Sequence, residues 1–265
     1  MSEEGVTLPT ERVISTLRDP LFLTLYSAPK MGKTTLISQL PNCLILDFEG
    51  GSKYADGMKI EVKDFAHFNK IGAAIVKAGK PYDFIAIDTI TALEDWCLWD
   101  ATEFYMGTPQ GKAFNRDKGV TLPRASWEPV INLPNGAGYK FLRESFRRWM
   151  DKIRKLSDRI ILVGHIKDKM MVDKKGNEVS AVDLDLTGKI KQITTQHYSD
   201  SIAYLYRDEN SNPILNFKTS DEVVCGSRSK HLRGQEIQMA DFNEETMELE
   251  NVKWDIIYPD KLEKS

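Results

Sequence analysis

The segment "LFLTLYSAPKMGKTTLISQL" (residues 21–40) limits the possible folds more than any other stretch of the chain. Residues 21–28 are mostly apolar or β-prone, which reads as a strand covered on both faces. A short turn follows, and "GKTTLISQL" then has helical character up to Pro41. The same rhythm repeats downstream. "CLILDFEGG" is a buried strand ending in a glycine pair, and "MKIEV" is a shorter strand. "FAHFNKIGAAIVKAG" is a helix with a glycine stop at Gly79. "YDFIAIDTI" is a further strand and "ALEDWCLWDATEFYMG" a further helix. Strands that are apolar on both sides and alternate with helices imply an α/β fold, with a mainly parallel central sheet flanked by helices.

Residues 107–138 are rich in Gly, Pro and Asn, break this rhythm and read as a long surface loop. The helix that follows carries Leu142, Phe146, Trp149, Ile153 and Leu156 as one apolar stripe. "RIILVGH" is the next buried strand, and "IKDKMMVDKKGNEVSAVDLDL" reads as an extended hairpin turning at residues 175–177. One more helix and closing strands complete the pattern. At the start, "TERVISTLRDP" reads as a short helix with Thr10 as N-cap and Pro20 just past its end. The expected organisation is an N-terminal helical segment (1–20), a core (21–240) with an insertion at about 107–138, and an acidic C-terminal tail (241–265).

The chain has 265 residues, 41% of them apolar and 28% charged, enough for one sizeable core with insertions. No apolar run approaches the roughly 20 residues of a membrane span, and no membrane partner is expected. The N-terminus is acidic and lacks the apolar region of a secretory signal. Cys43, Cys97 and Cys225 are scattered and odd in number, which favours a reducing, cytoplasmic setting over a disulfide framework or cysteine zinc site. Net charge is −3, yet residues 140–175 hold twelve Lys/Arg against five Asp/Glu, and residues 241–265 hold eight acidic residues against three lysines. That segregation fits either a polyanion-binding face with a screening tail or two solvated faces.

The turn after the first strand matches G-x-x-x-x-G-K-[ST] except that Ser27 stands where glycine is expected. Serine is small and common in turns, so the change is compatible with a phosphate cradle. The backbone N–H groups of Ser27, Pro29-Lys30-Met31-Gly32 and Lys33-Thr34-Thr35 (proline excepted) would face the phosphates of a nucleotide such as ATP. Lys33 would place its ammonium there, and the Thr34 hydroxyl would be a Mg²⁺ ligand. A matching second motif is "FIAIDTI", whose apolar residues 84–87 run into Asp88 at a strand end, the position of a second Mg²⁺-holding group. Thr89, rather than glutamate, follows it. Glu49, just past the strand "LILD", is therefore the candidate that activates water, with Asp47 assigned a structural part. His165 ends "IILVGH", as a polar sensor of the terminal phosphate or as a structural residue. Lys167 and Lys169 follow it on one face of an extended segment. They suit DNA contacts, cations acting on a neighbouring subunit, or edge-strand lysines that oppose aggregation.

Together, "SAPKMGKTT", "LILDFEGG", "FIAIDTI" and "ILVGHIKDK" resemble the RecA-like ATPases of phages, in particular the Sak-type single-strand annealing proteins, over about residues 21–235. The resemblance implies a RecA-like P-loop NTPase core, with Glu49 as catalytic base. RecA itself has an amide side chain at the position of His165. It further implies single-stranded DNA as partner, a homo-oligomeric ring or filament, and cooperation with a single-strand binding protein. For a phage-encoded protein the setting would be the bacterial host cytoplasm. The family's two DNA-binding loops would map near residues 107–138, with Phe114, Arg116, Lys118, Arg124 and Trp127, and near 167–190, with Lys169, Lys174, Lys175 and Lys189. Cations interleaved with rings suit a single strand, since charge follows phosphates and rings stack on bases. Arg228, Lys230 and Arg233 suit either an arginine finger or the DNA face. Two other readings fit the motifs: a P-loop small-molecule kinase, though 107–138 is short of the arginines of a phosphate-transfer lid, and a non-catalytic nucleotide-binding scaffold of a replication or packaging complex.

Overall fold

The computed structural model describes residues 8, 10–117, 120–172, 178–220 and 222–263. In chain order its elements begin with β1 (Phe22–Ser27), α1 (Lys33–Ser38), β2 (Cys43–Asp47), β3 (Met58–Glu61), α2 (Phe65–Lys77), β4 (Phe84–Asp88) and α3 (Ile90–Met106). Then come α4 (Pro109–Phe114), β5 (Arg116–Asp117), β6 (Val120–Thr121), α5 (Gly138–Ile153), β7 (Arg159–Val172) and β8 (Glu178–Leu184). The last part holds α6 (Gly188–Gln192), β9 (Ser201–Arg207), β10 (Pro213–Asn216), β11 (Gly226–Ser227), β12 (Glu236–Gln238), β13 (Asp241–Asn243), β14 (Glu248–Glu250), α7 (Trp254–Ile257) and α8 (Pro259–Leu262).

The main sheet runs β12-β10-β9-β1-β7-β4-β2-β3, with β11 on β9 and β8 on β7. The block from β9 to β3 is parallel throughout, and β8, β10, β11 and β12 join antiparallel. Thus β7 separates β1, which leads into the phosphate loop, from β4, which ends at Asp88. Side chains alternate across a strand, and the apolar runs split accordingly. Leu44, Leu46, Ile85, Ile87, Ile160 and Leu162 face one core with the inward residues of α2, α3 and α5. Cys43, Ile45, Phe84, Ala86, Ile161 and Val163 face the other with Leu36 and Ile37 of α1.

Three segments differ from the sequence expectation. Residues 10–20 carry no helix: Val13, Ile14 and Leu17 stay largely exposed, and a helix this short is marginal without a buried face. Residues 107–138 are not an open loop; their described residues fold into α4, the antiparallel pair β5–β6 and short 3₁₀ turns, with Val130 and Leu133 in the first core. Gly138 makes this possible, because a Cβ there would lie 1.6 Å from the Val130 carbonyl oxygen. Residues 241–263 are no free tail. Leu249, Trp254, Ile257 and Tyr258 complete the second core, and Asp260 receives Arg18 N–H at 2.7 Å and Arg18 Nε at 2.9 Å. Sparse apolar residues among many carboxylates hide that buried face from a charge count. Among the described residues no helix is long and apolar enough to cross a membrane.

Candidate functional site

The registers β1–β7, β7–β4 and β4–β2 bring Ser27 opposite His165, Asp88 opposite Val163 and Asp47 opposite Asp88. The strand ends thereby gather the polar residues at one edge of the sheet. Between this edge and the start of α1 opens a cavity of about 510 Å³, lined by Pro29, Lys30, Gly32, Lys33, Thr34, Thr35, Asp47, Glu49, Asp88, Thr89 and His165 among others.

The loop turns through two left-handed residues, Lys30 (φ 64°) and Gly32 (φ 90°). A Cβ at Gly32 would meet Arg207 Nη2 at 2.8 Å, the movable end of a long side chain, so a side chain there is opposed chiefly by the left-handed backbone. Lys33 is buried, and its ammonium donates to the Ser27 carbonyl (3.3 Å), Ser27 Oγ (3.1 Å) and the Ala28 carbonyl (3.1 Å). Ser27 therefore lies beneath the lysine and gives its ammonium an acceptor that glycine would lack. Burial lowers the Lys33 pKa, against the attraction of Asp88 and Glu49. Met31 turns toward the second core, while its carbonyl accepts from Arg207 Nε at 3.3 Å. Arg207, at the end of β9, also lies 5.1 Å over the Phe242 ring. It braces the phosphate loop from outside, and no motif marks it.

Thr34 Oγ1 donates to Asp88 Oδ2 at 2.7 Å. This hydroxyl–carboxylate pair is the donor set a Mg²⁺ ion takes beside phosphates. Burial raises the Asp88 pKa, the Thr34 bond opposes that, and Asp47 and Glu49 add to it. Asp47 accepts the N–H groups of Glu49 (3.0 Å), Gly50 (2.7 Å) and Ser52 (2.8 Å) and the Ser52 hydroxyl (2.6 Å). Although burial pushes it up, these bonds hold its carboxyl below the usual range. Asp47 thus shapes the turn, and the turn aims Glu49. Thr89 Oγ1 donates to Glu49 Oε1. His165 Nε2 lies 3.2 Å from Glu49 Oε1 and 3.4 Å from Oε2, and His165 Nδ1 is buried without a partner among the described residues.

The candidate DNA-contacting residues are dispersed. Arg116 is exposed on β5, and Arg124 pairs with Glu103. Phe114 packs on Tyr105, and Trp127 donates its indole N–H to the Leu122 carbonyl at 2.7 Å, so both rings already have intramolecular partners. Lys118, Lys174 and Lys175 lie outside the described residues, as does the side chain of Lys169. Lys167 and Lys189 are exposed and line a cavity of about 710 Å³ beside α5, together with Tyr139, Arg143, Asp183 and Lys191. Lys167 Nζ is 3.7 Å from Asp185, and Lys191 pairs with Asp183. Arg228 binds the Gln196 carbonyl (3.0 Å) and Asp200 (3.6 Å). It sits beside the start of β9, at the opposite end of the sheet from the phosphate loop. Arg233 donates to the Ser227 and Arg228 carbonyls.

A parallel sheet, a strand–loop–helix cradle around a buried lysine, and a threonine–aspartate pair beside it define a P-loop nucleotide-binding protein. The chain belongs to the AAA domain family, whose model matches residues 19–229. No curated protein sequence matches it. Among solved structures, the crystal structure of the RadB recombinase aligns over 89% of this chain and 92% of its own at 12% identity, with a TM-score of 0.42.

Proposed function

We propose that the chain is an ATP-dependent, single-stranded-DNA-binding recombination or annealing protein of the Sak type, which hydrolyses ATP to drive its assembly on DNA and its release. What carries the reading is Glu49, bonded to Thr89 and close to His165 beside Lys33. The residues fit ATP and Mg²⁺: a loop turned around the pocket by left-handed Gly32, an ammonium bonded to loop oxygens, and a hydroxyl–carboxylate pair. The loop amides and Lys33 would hold the phosphates, and Thr34 with Asp88 the metal. When bound, Mg²⁺ neutralises charge on the terminal phosphates. Lys33 exchanges the Ser27 and Ala28 oxygens for phosphate oxygens. Thr89 occupies Glu49 Oε1, so Oε2 is the oxygen that takes the proton of the attacking water. His165 orients that carboxylate through Nε2. A positioned base of this kind contributes about 10²–10⁴-fold to rate.

Single-stranded DNA would run past the cations of 107–138 and of the β7–β8 side, Lys167 and Lys189 at the cavity included. In a ring or filament of this chain, Lys167, Lys169 and Arg228 are the candidates to act on a neighbour's phosphates. A single-strand binding protein is the implied partner and the host cytoplasm the implied setting. The test is ATP turnover with and without single-stranded DNA. Strong stimulation supports the reading, turnover only with a small phosphate acceptor replaces it with a kinase, and no turnover leaves a nucleotide-binding scaffold.

A further inference from the structure

The first two turns of α3 carry bonds toward two regions. Toward the nucleotide pocket, Asp88 just before the helix accepts from Thr34, and Thr89 both donates to Glu49 and caps the helix through Ala92 N–H (3.2 Å). On the other side, Thr91 Oγ1 donates to the Asp185 carbonyl at 3.3 Å and also accepts the His165 N–H at 3.5 Å. The Glu94 carboxylate accepts Thr187 N–H at 3.1 Å on each oxygen and also the Thr187 hydroxyl. Residues 185–187 join β8 to α6, and residues 186–188 line the cationic cavity beside α5. From Thr89 to Glu94 the helix rises about 7.5 Å, so one rigid piece of backbone touches both regions.

Glu94 is conspicuous because it is buried, 8% exposed, and among the described residues bonded to Thr187 alone. A buried carboxylate is costly unless its oxygens are satisfied, and an apolar side chain of similar volume would serve packing as well or better. What the carboxylate supplies is the position of the Thr187 backbone relative to α3.

We infer that α3 carries the state of the nucleotide site to the cationic cavity, with Glu94 as the positioning residue that holds the cavity's Thr187 edge to the helix. The part of this that concerns DNA rests on the reading above, in which the cavity takes polynucleotide phosphates. A metal ion taking the Thr34 and Asp88 oxygens would shift the start of α3, and the Glu94–Thr187 bonds pass that shift to residues 186–188. Conversely, phosphates drawn to Arg143 and Lys189 pull on the same joint and reach Glu49 through Thr89.

The test compares the full chain with Glu94→Gln, which keeps the shape, and Glu94→Ala. Hydrogen exchange at the Thr187 amide is followed with and without a non-hydrolysable ATP analogue and Mg²⁺. ATP turnover is measured with and without oligothymidylate, whose binding is followed by anisotropy. In the wild type, nucleotide should change Thr187 exchange by at least about fivefold, and Glu94→Gln should lose most of that response. Basal turnover and oligothymidylate affinity of Glu94→Gln should stay within about twofold, while stimulation falls at least about fivefold, and further in Glu94→Ala. Wild-type exchange blind to nucleotide, or Glu94→Gln stimulated like the wild type, overturns the link. If oligothymidylate never affects wild-type turnover but Thr187 still follows nucleotide through Glu94, the link stands and the DNA reading falls. Should Glu94→Ala unfold in a thermal melt, the near-isosteric Glu94→Gln decides alone.

Discussion

The nucleotide pocket and the cavity beside α5 are both lined by charge but hold it in opposite ways. In the pocket, Asp47 takes four hydrogen bonds from its own turn and Lys33 gives three to its own loop. These bonds, mostly to backbone groups, keep both residues in place before any ligand arrives. In the cavity, Lys167 and Lys189 stand in solvent, each held among the described residues by a side-chain contact, to Asp185 and Gln192 respectively. Fixed charge in a low-dielectric site discriminates by position, whereas exposed charge attracts any polyanion and is screened by salt. The first arrangement suits chemistry on one phosphate, and the second suits a backbone with many.

If that contrast holds, substitutions in the pocket should act as switches and those in the cavity as dials. Lys33→Ala should abolish ATP hydrolysis, measured as phosphate release; normal release would empty the pocket of its proposed chemistry. Glu49→Gln should lower turnover by about 10²–10⁴-fold while leaving ATP binding in place, read by fluorescence of a labelled analogue. Unimpaired turnover would move the base elsewhere. Asp47→Asn should cost about 1–3 kcal/mol in urea unfolding at neutral pH, because the amide nitrogen that replaces Oδ2 cannot accept the buried Ser52 N–H. The pH sign follows from its depressed pKa: its stabilisation is complete above about pH 4 and is lost as pH falls through the folded-state pKa. The acid limb of the stability curve should accordingly be shallower in Asp47→Asn, and an identical limb would show that another carboxylate governs it. Smallest of all, Arg143→Ala with Lys189→Ala should weaken single-stranded DNA binding by roughly tenfold and reduce the log–log salt slope by about 1.4. A salt slope equal to that of the wild type would take the cavity off the DNA path.

The same contrast explains what the sequence disclosed. The order of strands and helices in the parallel block was legible because each element carries its own period, and the phosphate loop because its residues are contiguous. Asp47 was separable from Glu49 because Glu49 lies two residues beyond the strand, next to the glycine pair, whereas Asp47 ends the strand. Glu94 was not legible: on its helix it reads as one more surface glutamate, and its partner lies 93 positions away. The helix expected at residues 10–20 was plausible locally, but no tertiary face supports it. Gly111 and Gly138 signalled a loop by composition, whereas they serve close backbone approaches, to Tyr105 and Val130 respectively. Arg207 lacks any signal, since it acts only where β9 lies against β1.

One contact joins distant parts of the chain: the Trp254 indole N–H donates to the Leu36 carbonyl at 3.0 Å, and Leu36 belongs to the helix that opens with Lys33. Indole emission is sensitive to the strength of that bond and to the dipoles around the ring. A chain retaining Trp254 as its sole tryptophan would therefore carry an intrinsic optical gauge on the helix that follows the loop, and stopped-flow mixing with ATP would time any filling of the pocket without a label.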